Sequence, residues 1–218
     1  MKTTLYILTI GFLLTLFACA QDNKKQEPYN ESRELLPDPE GYKKDTLILT
    51  NKDSLILALT NQILTSIKSK DFKSFANFIH PVLGIRFSPY ANIDTLKDVK
   101  LSADKFLDLL KKQNKIKWGS YDGSGDVIML TAEKYFSKFV YNADYLNAEK
   151  KSVNTILGKG NSLNNLESIY NDCDFSESFF SGIDKQFEGI DWCSLRLVFK
   201  NYNNKYYLVG IVHDQWTI

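Results

Sequence analysis

The sequence predicts an α+β domain in which helices pack on a curved antiparallel sheet that ends in a long C-terminal hairpin, a cone-like arrangement. Two observations carry this: apolar residues recur at helical spacing early in the domain, and the chain closes on two β-rich runs about an Asn-Asn pair. From Ser54 to Lys68, Ile56, Leu59, Ile63, Leu64 and Ile67 share one helical face, with Asp53 as N-cap. Asp71 caps a shorter helix with Phe72, Phe75, Ala76 and Ile79 inward, stopped by Pro81. Gly84 to Phe87 reads as a short strand, and Ser102 opens a helix whose stripe is Ala103, Phe106, Leu107 and Leu110. Trp118 to Asp126 is a glycine-bearing loop, Asp126 to Leu130 a strand, and Thr131 opens a helix with Ala132, Phe136, Phe139 and Val140 inward. Asn142 to Ser176 carries no clear pattern. The clearest element is CSLRLVFKNY, Asn203-Asn204, KYYLVGIVHDQW. Asn tolerates the positive φ angles of a type I′ turn, so these runs form a hairpin with a two-residue loop.

The first residues, MKTTLYILTIGFLLTLFACA, place one Lys before an apolar stretch from Leu5 to Phe17. That is the layout of a signal peptide, and the stretch is short against the roughly 20 apolar residues a spanning helix needs. Leu16-Phe17-Ala18-Cys19 resembles the bacterial lipobox, although Phe17 is a less usual occupant. The resemblance implies removal of residues 1–18, acylation of Cys19 with diacylglycerol and palmitate-type chains, and an address on the cell envelope. An ordinary secretory signal with an incidental cysteine is the plainer alternative. Ala20 after the cysteine resembles outer-membrane sorting where two membranes exist. Residues 19–52 are polar and broken by Pro28, Pro37 and Pro39, so they form a flexible tether with a reach near 30 Å, from roughly 5–6 Å times the square root of length. Thr46 to Leu49 are apolar enough to add a strand or join the first helix. Residues 53–218 remain as a single domain.

An exported address makes the cysteines informative. With Cys19 acylated, Cys173 and Cys193 are an even pair, either a disulfide or two buried thiols, and an oxidising compartment favours the disulfide. Lys plus Arg number 27 and Asp plus Glu 26, with no basic run, which excludes a nucleic-acid partner. No cofactor or metal is expected. Asp122, Ser124, Asp126 and Glu133 follow a calcium-loop count, but Val127 stands where the sharp turn needs Gly.

The helix pair, DFKSFANFIHP, a short strand and a terminal hairpin together resemble the nuclear transport factor 2-like (NTF2-like) superfamily, which implies a curved sheet and helices around a cone-shaped pocket. HPVLGIRFSPY, WGSYDGSG, LTAEKYFSKFVYNADY, GKGNSLNN and DWCSLRLVF through YLVGIVHDQWTI, from His80 to the end, are similar to an uncharacterised domain of bacterial secreted proteins and lipoproteins, a likeness that implies no activity.

His80 ends a helix, where a cation complements the C-terminal dipole. In an unbroken register about Asn203-Asn204, Ser194 lies opposite His213 and Arg196 opposite Ile211. Arg196 and His213 then share a mixed face, while Leu195, Leu197, Phe199, Leu208 and Val212 form an apolar one. Arg196 and His213, with aromatic walls from Tyr90, Trp118 and Tyr121, would suit an anionic or sugar-like group. A loop-covered surface with Arg196 paired to a carboxylate is the duller reading, and Arg86 is a second guanidinium with Asp94 or Asp191 in reach. The functional expectation is a non-catalytic envelope lipoprotein that binds a small molecule or an envelope component. A hydrolase of wall or glycan material is the alternative, with Ser194 beside His213 and Asp191 orienting the ring, although no Gly-x-Ser-x-Gly surrounds Ser194. A structural interaction module is the third reading.

Overall fold

The computed structural model describes residues 51–217, so the signal sequence, Cys19 and Thr46 to Leu49 lie outside the described residues. Asn51 and Lys52, assigned above to the tether, are already helical. Helix α1 (Asn51–Lys68) buries Ile56, Ile63, Leu64 and Ile67 as their spacing requires, and Asp53 stands in its first turn rather than capping it. There its carboxylate complements the helix dipole. Thr60 is buried because its hydroxyl is satisfied twice, donating to the Ile56 carbonyl at 2.8 Å and lying 2.6 Å from the Ser176 hydroxyl. Helix α2 (Phe72–Ala76) starts where Asp71 Oδ1 accepts the Ser74 N–H at 3.0 Å. Ser102 and Thr131 cap α3 (Ala103–Lys112) and α4 (Ala132–Tyr135) in the same way. Past α4 the chain widens into a π-helical turn, Phe136–Val140, closed by the Tyr141 N–H on the Phe136 carbonyl at 2.7 Å.

The main sheet holds β1 (Ile85–Ser88), β2 (Val99–Leu101), β5 (Lys150–Val153), β6 (Asp174–Phe180), β7 (Cys193–Tyr202) and β8 (Lys205–Gln215), in the order β2-β1-β8-β7-β6-β5. The α+β class stands, with a curved, unclosed sheet, but the sheet is mixed because β1 runs parallel to β8. Turn chemistry fixes direction only between strands adjacent in sequence, and β1 reaches β8 across most of the chain. A separate two-stranded sheet pairs β3 (Ile116–Ser120) with β4 (Val127–Leu130), so Trp118 belongs to a strand and not to the loop. Helix α5 (Leu166–Ile169) lies in the stretch without pattern.

Two apolar clusters flank the sheet. The larger joins the helices to Leu195, Leu197, Phe199, Leu208 and Ile211, and is rich in rings: Phe87, Phe106, Trp118, Tyr135, Phe136 and Phe139. The smaller, with Phe175, Val198, Val209 and Val212, lies under Ile93 and Leu166 on the other face.

The expected disulfide is not formed; Cys173 and Cys193 are both free thiols. The β6–β7 register explains why. Cys193 is opposite Phe180, while Cys173 precedes Asp174, which is opposite Phe199. Seven residues of strand separate the two positions, roughly 23 Å at 3.3 Å per residue, against the 7 Å Cα limit for a bridge. Burial pushes the Cys173 thiol up to about 12 and raises that of Cys193 as well, so neither is an activated nucleophile. A reductant is therefore expected to leave the unfolding temperature unchanged; a drop of several degrees would contradict the register.

Candidate functional site

The hairpin turn is as expected: Asn203 and Asn204 have φ of 51° and 61°, and Tyr202 faces Lys205. After four pairs the ladder slips. Phe199 is opposite Leu208 but Val198 is opposite Gly210, leaving Val209 unpaired as a β-bulge. Every pair beyond it is displaced, so Arg196 faces Val212 and Leu195 faces His213. Arg196 and His213 therefore point to opposite sides of the sheet, and the shared binding face is not formed. Ser194, opposite Asp214, is also turned away from His213, so that nucleophile and base do not meet. Asp191 does not orient the ring either, since its Oδ2 accepts the N–H groups of Ile183 and Asp184 at 3.0 and 2.7 Å.

His213 joins the helix side. Its ring is fully buried, packs edge-on against Phe139 at 5.7 Å, and places Nδ1 3.0 Å from the Pro89 carbonyl oxygen. A carbonyl only accepts, so Nδ1 carries the hydrogen and Nε2 is an acceptor without a partner. Burial pushes the imidazole down to about 4. The three expected aromatic walls are packing. Trp118 is 0 % exposed, stacks on Tyr135 at 4.0 Å and donates its indole N–H to the Leu130 carbonyl at 2.9 Å. Tyr90 and Tyr121 both lean on Phe139. These rings occupy the side of the sheet where a cone-shaped pocket was expected.

Arg196 joins the opposite, loop-covered face. Its Nη2 lies 3.0 Å from Glu177 Oε1, 2.9 Å from Asp214 Oδ2 and 2.9 Å from the Gly158 carbonyl oxygen, all buried. Glu177 is opposite Arg196 on β6 and is held further by the Leu157 and Gly158 N–H groups, at 2.6 and 3.1 Å, and by the Ser194 hydroxyl. Burial pushes Asp214 up to about 6 against the pull of Arg196. The cluster thus pins the segment around Gly158 onto the sheet. Only glycine fits there, since a Cβ at 158 would stand 2.9 Å from the Trp192 ring and 3.1 Å from Glu177 Oε1. Two donor atoms of this buried guanidinium, Nε and Nη1, have no partner among the described residues.

Beside the pinned segment opens a cleft of about 460 Å³, lined by Gly158, Lys159, Gly160, Ser162, Asn164 and Asp214. A second cleft of about 260 Å³ lies further along the same face, where Arg86 and Tyr170 meet Lys100 and Lys200. Arg86 pairs with neither Asp94 nor Asp191 through their carboxylates; its Nη1 donates to the carbonyls of Thr95 and Asp98, at 3.0 and 3.4 Å, and lies 3.5 Å from that of Asp94. The residues of the calcium-like count disperse, Asp122 to Ser162 and Glu133 to Lys70. His80 is not a cationic cap: its Nδ1 accepts the Val82 and Leu83 N–H groups, which requires the neutral ring, and burial lowers its pKa. No family model and no curated protein matches the chain.

Sequence reasoning missed Glu177 and Asp214, the two acids that define this face. Glu177 lies in DFSESFF, where a Glu between serines reads as a solvated position. The slip that moved His213 away had one visible sign, Gly210 inside an otherwise β-branched and aromatic run, a common mark of a bulge or of close approach. Both apply, since a Cβ at 210 would sit 2.7 Å from the Tyr170 hydroxyl.

Proposed function

We infer that the protein is a membrane-tethered envelope lipoprotein whose α+β domain is a non-catalytic binding module, taking a small molecule or an envelope component in the cleft over Asp214. The tether rests on the signal layout and on Cys19. The binding reading rests on one observation: a cleft of about 460 Å³ opens over Gly158 and Asp214, the two residues that hold the buried Arg196 from this side, and its lining offers both donors and acceptors. Lys159, Asn164 and the Asp214 carboxyl suit a hydroxylated ligand with little charge. The hydrolase alternative has lost its residues, because Ser194 and His213 are on opposite faces. The interaction-module reading keeps one supporting feature, the exposed Ile183, Phe187 and Ile190 on the β6–β7 connection.

Two measurements test this. Cys19→Ala is expected to abolish acyl labelling, and unchanged labelling would remove the anchor. A survey of envelope glycan fragments and small metabolites by thermal shift should find a ligand that stabilises the full chain, by about 2.7 kcal/mol at a hundred times its Kd. Lys159→Glu with Asn164→Ala should lose that response. A ligand that stabilises the variant equally binds elsewhere, and a survey with no response favours the interaction module.

A further inference from the structure

The smaller cleft has a charge imbalance that the protein itself does not resolve. The β1–β2 register sets Arg86 directly opposite Lys100, and like charges so placed destabilise a sheet. Lys200 of β7 lines the same cleft. Two carboxyls stand against these three cations. Asp172 is in contact with Lys200, and Asp98 is buried, with Oδ2 taken by the Ser88 hydroxyl at 2.5 Å and the Asp94 N–H at 3.0 Å. Among the described residues one positive charge remains unmatched. Lys100 is exposed and has no hydrogen-bond or ion-pair partner among the described residues, and Arg86 has no carboxylate within ion-pair distance. The unmatched field is felt behind the cleft, where Lys200 and Lys100 add to burial in lowering the pKa of His80.

The geometry of the site suits an oxyanion. Carbonyl oxygens hold Arg86 by Nη1, which fixes the guanidinium plane; the Tyr170 hydroxyl accepts a hydrogen bond from the same guanidinium, and no carboxylate among the described residues takes its Nε and Nη2 edge. Two parallel N–H groups on such an edge match two oxygens of a phosphate, whereas lysines contribute as point charges. The Tyr170 hydroxyl is seated over Gly210, and burial keeps it a protonated donor by pushing its pKa up to about 12. Leu83, Ile169 and Val209 supply an apolar wall.

We propose that this cleft binds a phosphate-class oxyanion, free or carried as a phosphomonoester, with Arg86 in bidentate contact, Lys100 and Lys200 flanking it and the Tyr170 hydroxyl as a further donor. The site shares no residue with the cleft over Asp214 and stands or falls separately from it. The anion has two sources, a soluble phosphate or the headgroup of a phosphomonoester lipid. The full chain in neutral detergent is titrated with inorganic phosphate and, separately, with dihexanoyl phosphatidic acid below its micelle concentration, by thermal shift and by phosphorus NMR.

Both anions, or the lipid alone, should bind wild type at millimolar concentration. Equal response points to a soluble phosphate, and a response confined to the short-chain lipid points to a headgroup. Lys100→Gln and Arg86→Lys should each weaken binding about tenfold, the loss of one charge-assisted contact. Without phosphate, Lys100→Gln should be at least as stable as wild type, because it relieves a repulsion. No response to either anion, undiminished binding in both variants, or a Lys100→Gln chain that is less stable in phosphate-free buffer would overturn the proposal.

Discussion

Arg196→Met is expected to destabilise the domain by about 3–5 kcal/mol, because it leaves two carboxylates in a buried site with no cation. Glu177 is 0 % exposed and Asp214 3 % exposed, and Arg196 is the guanidinium between them. Glu177 keeps two backbone N–H donors and the Ser194 hydroxyl. Asp214 then yields. Its folded pKa is already raised to about 6 from 3.8, and removing Arg196 withdraws the attraction that opposed burial. Between those values the native state binds the proton that the unfolded chain does not, so acidification through about pH 6 stabilises the fold. The variant's deficit should therefore shrink between neutrality and about pH 5. Asp214→Asn in the same background should recover part of it at neutral pH. Urea unfolding at the two pH values measures both effects; a deficit below about 1 kcal/mol, or one that grows on acidification, would show that the cluster does not pin the sheet face.

The second large effect belongs to His213 and has the opposite sign. Its folded pKa is lowered to about 4 from 6.5, so the native state refuses a proton that the unfolded chain accepts. Stability from this group is present above pH 6.5 and is lost as pH falls toward 4, up to about 3 kcal/mol at 1.36 kcal/mol per pH unit. Asp98 and Asp214, both raised to about 6 by burial, gain stability across the same window. Wild type is therefore expected to gain only about 1–2 kcal/mol from pH 6.5 to 4.5, because the one imidazole offsets rather more than half of what the two carboxyls contribute. His213→Leu costs the hydrogen bond to the Pro89 carbonyl but removes the acid-sensitive group, so on acidification its stability should rise by about 2 kcal/mol more than that of wild type. Parallel profiles for the two chains would mean that the ring does not titrate as its burial requires.

These two residues also show what the sequence could and could not reveal. Local rules worked where neighbours in sequence are neighbours in space. Asp71, Ser102 and Thr131 cap the helices they precede, and Asn203-Asn204 makes the turn its positive φ angles allow. They failed at distances no local rule spans. The direction of β1 depends on a partner over a hundred residues away, and the separation of Cys173 from Cys193 depends on the β6–β7 register. Of the site residues, charge singles out Arg196 but not its acids, because a carboxylate paired inside a fold has the same letter as one in water. Tyr90, Trp118 and Tyr121 suit a ligand wall in the sequence and form core in the structure, because aromatic side chains serve binding and packing equally well.

The unpaired Val209 has a consequence for how this strand can change over time. Side chains on a strand alternate between two sides, so an unpaired residue acts as a change of parity: Lys205 to Leu208 count in one phase and Gly210 to Gln215 in the other. A point substitution alters what a position carries but never the side on which it counts. Only a change in chain length does. Removing Val209 would erase the bulge and leave every later pair as it is, with His213 still opposite Leu195, whereas removing Ile211 would carry His213 to the side of Glu177 and Val212 to the helix side, exchanging the two surfaces at the end of the strand in one step. In this strand, single-residue insertions and deletions are the mutations that select which chemistry each surface of the sheet presents, and substitutions only adjust it.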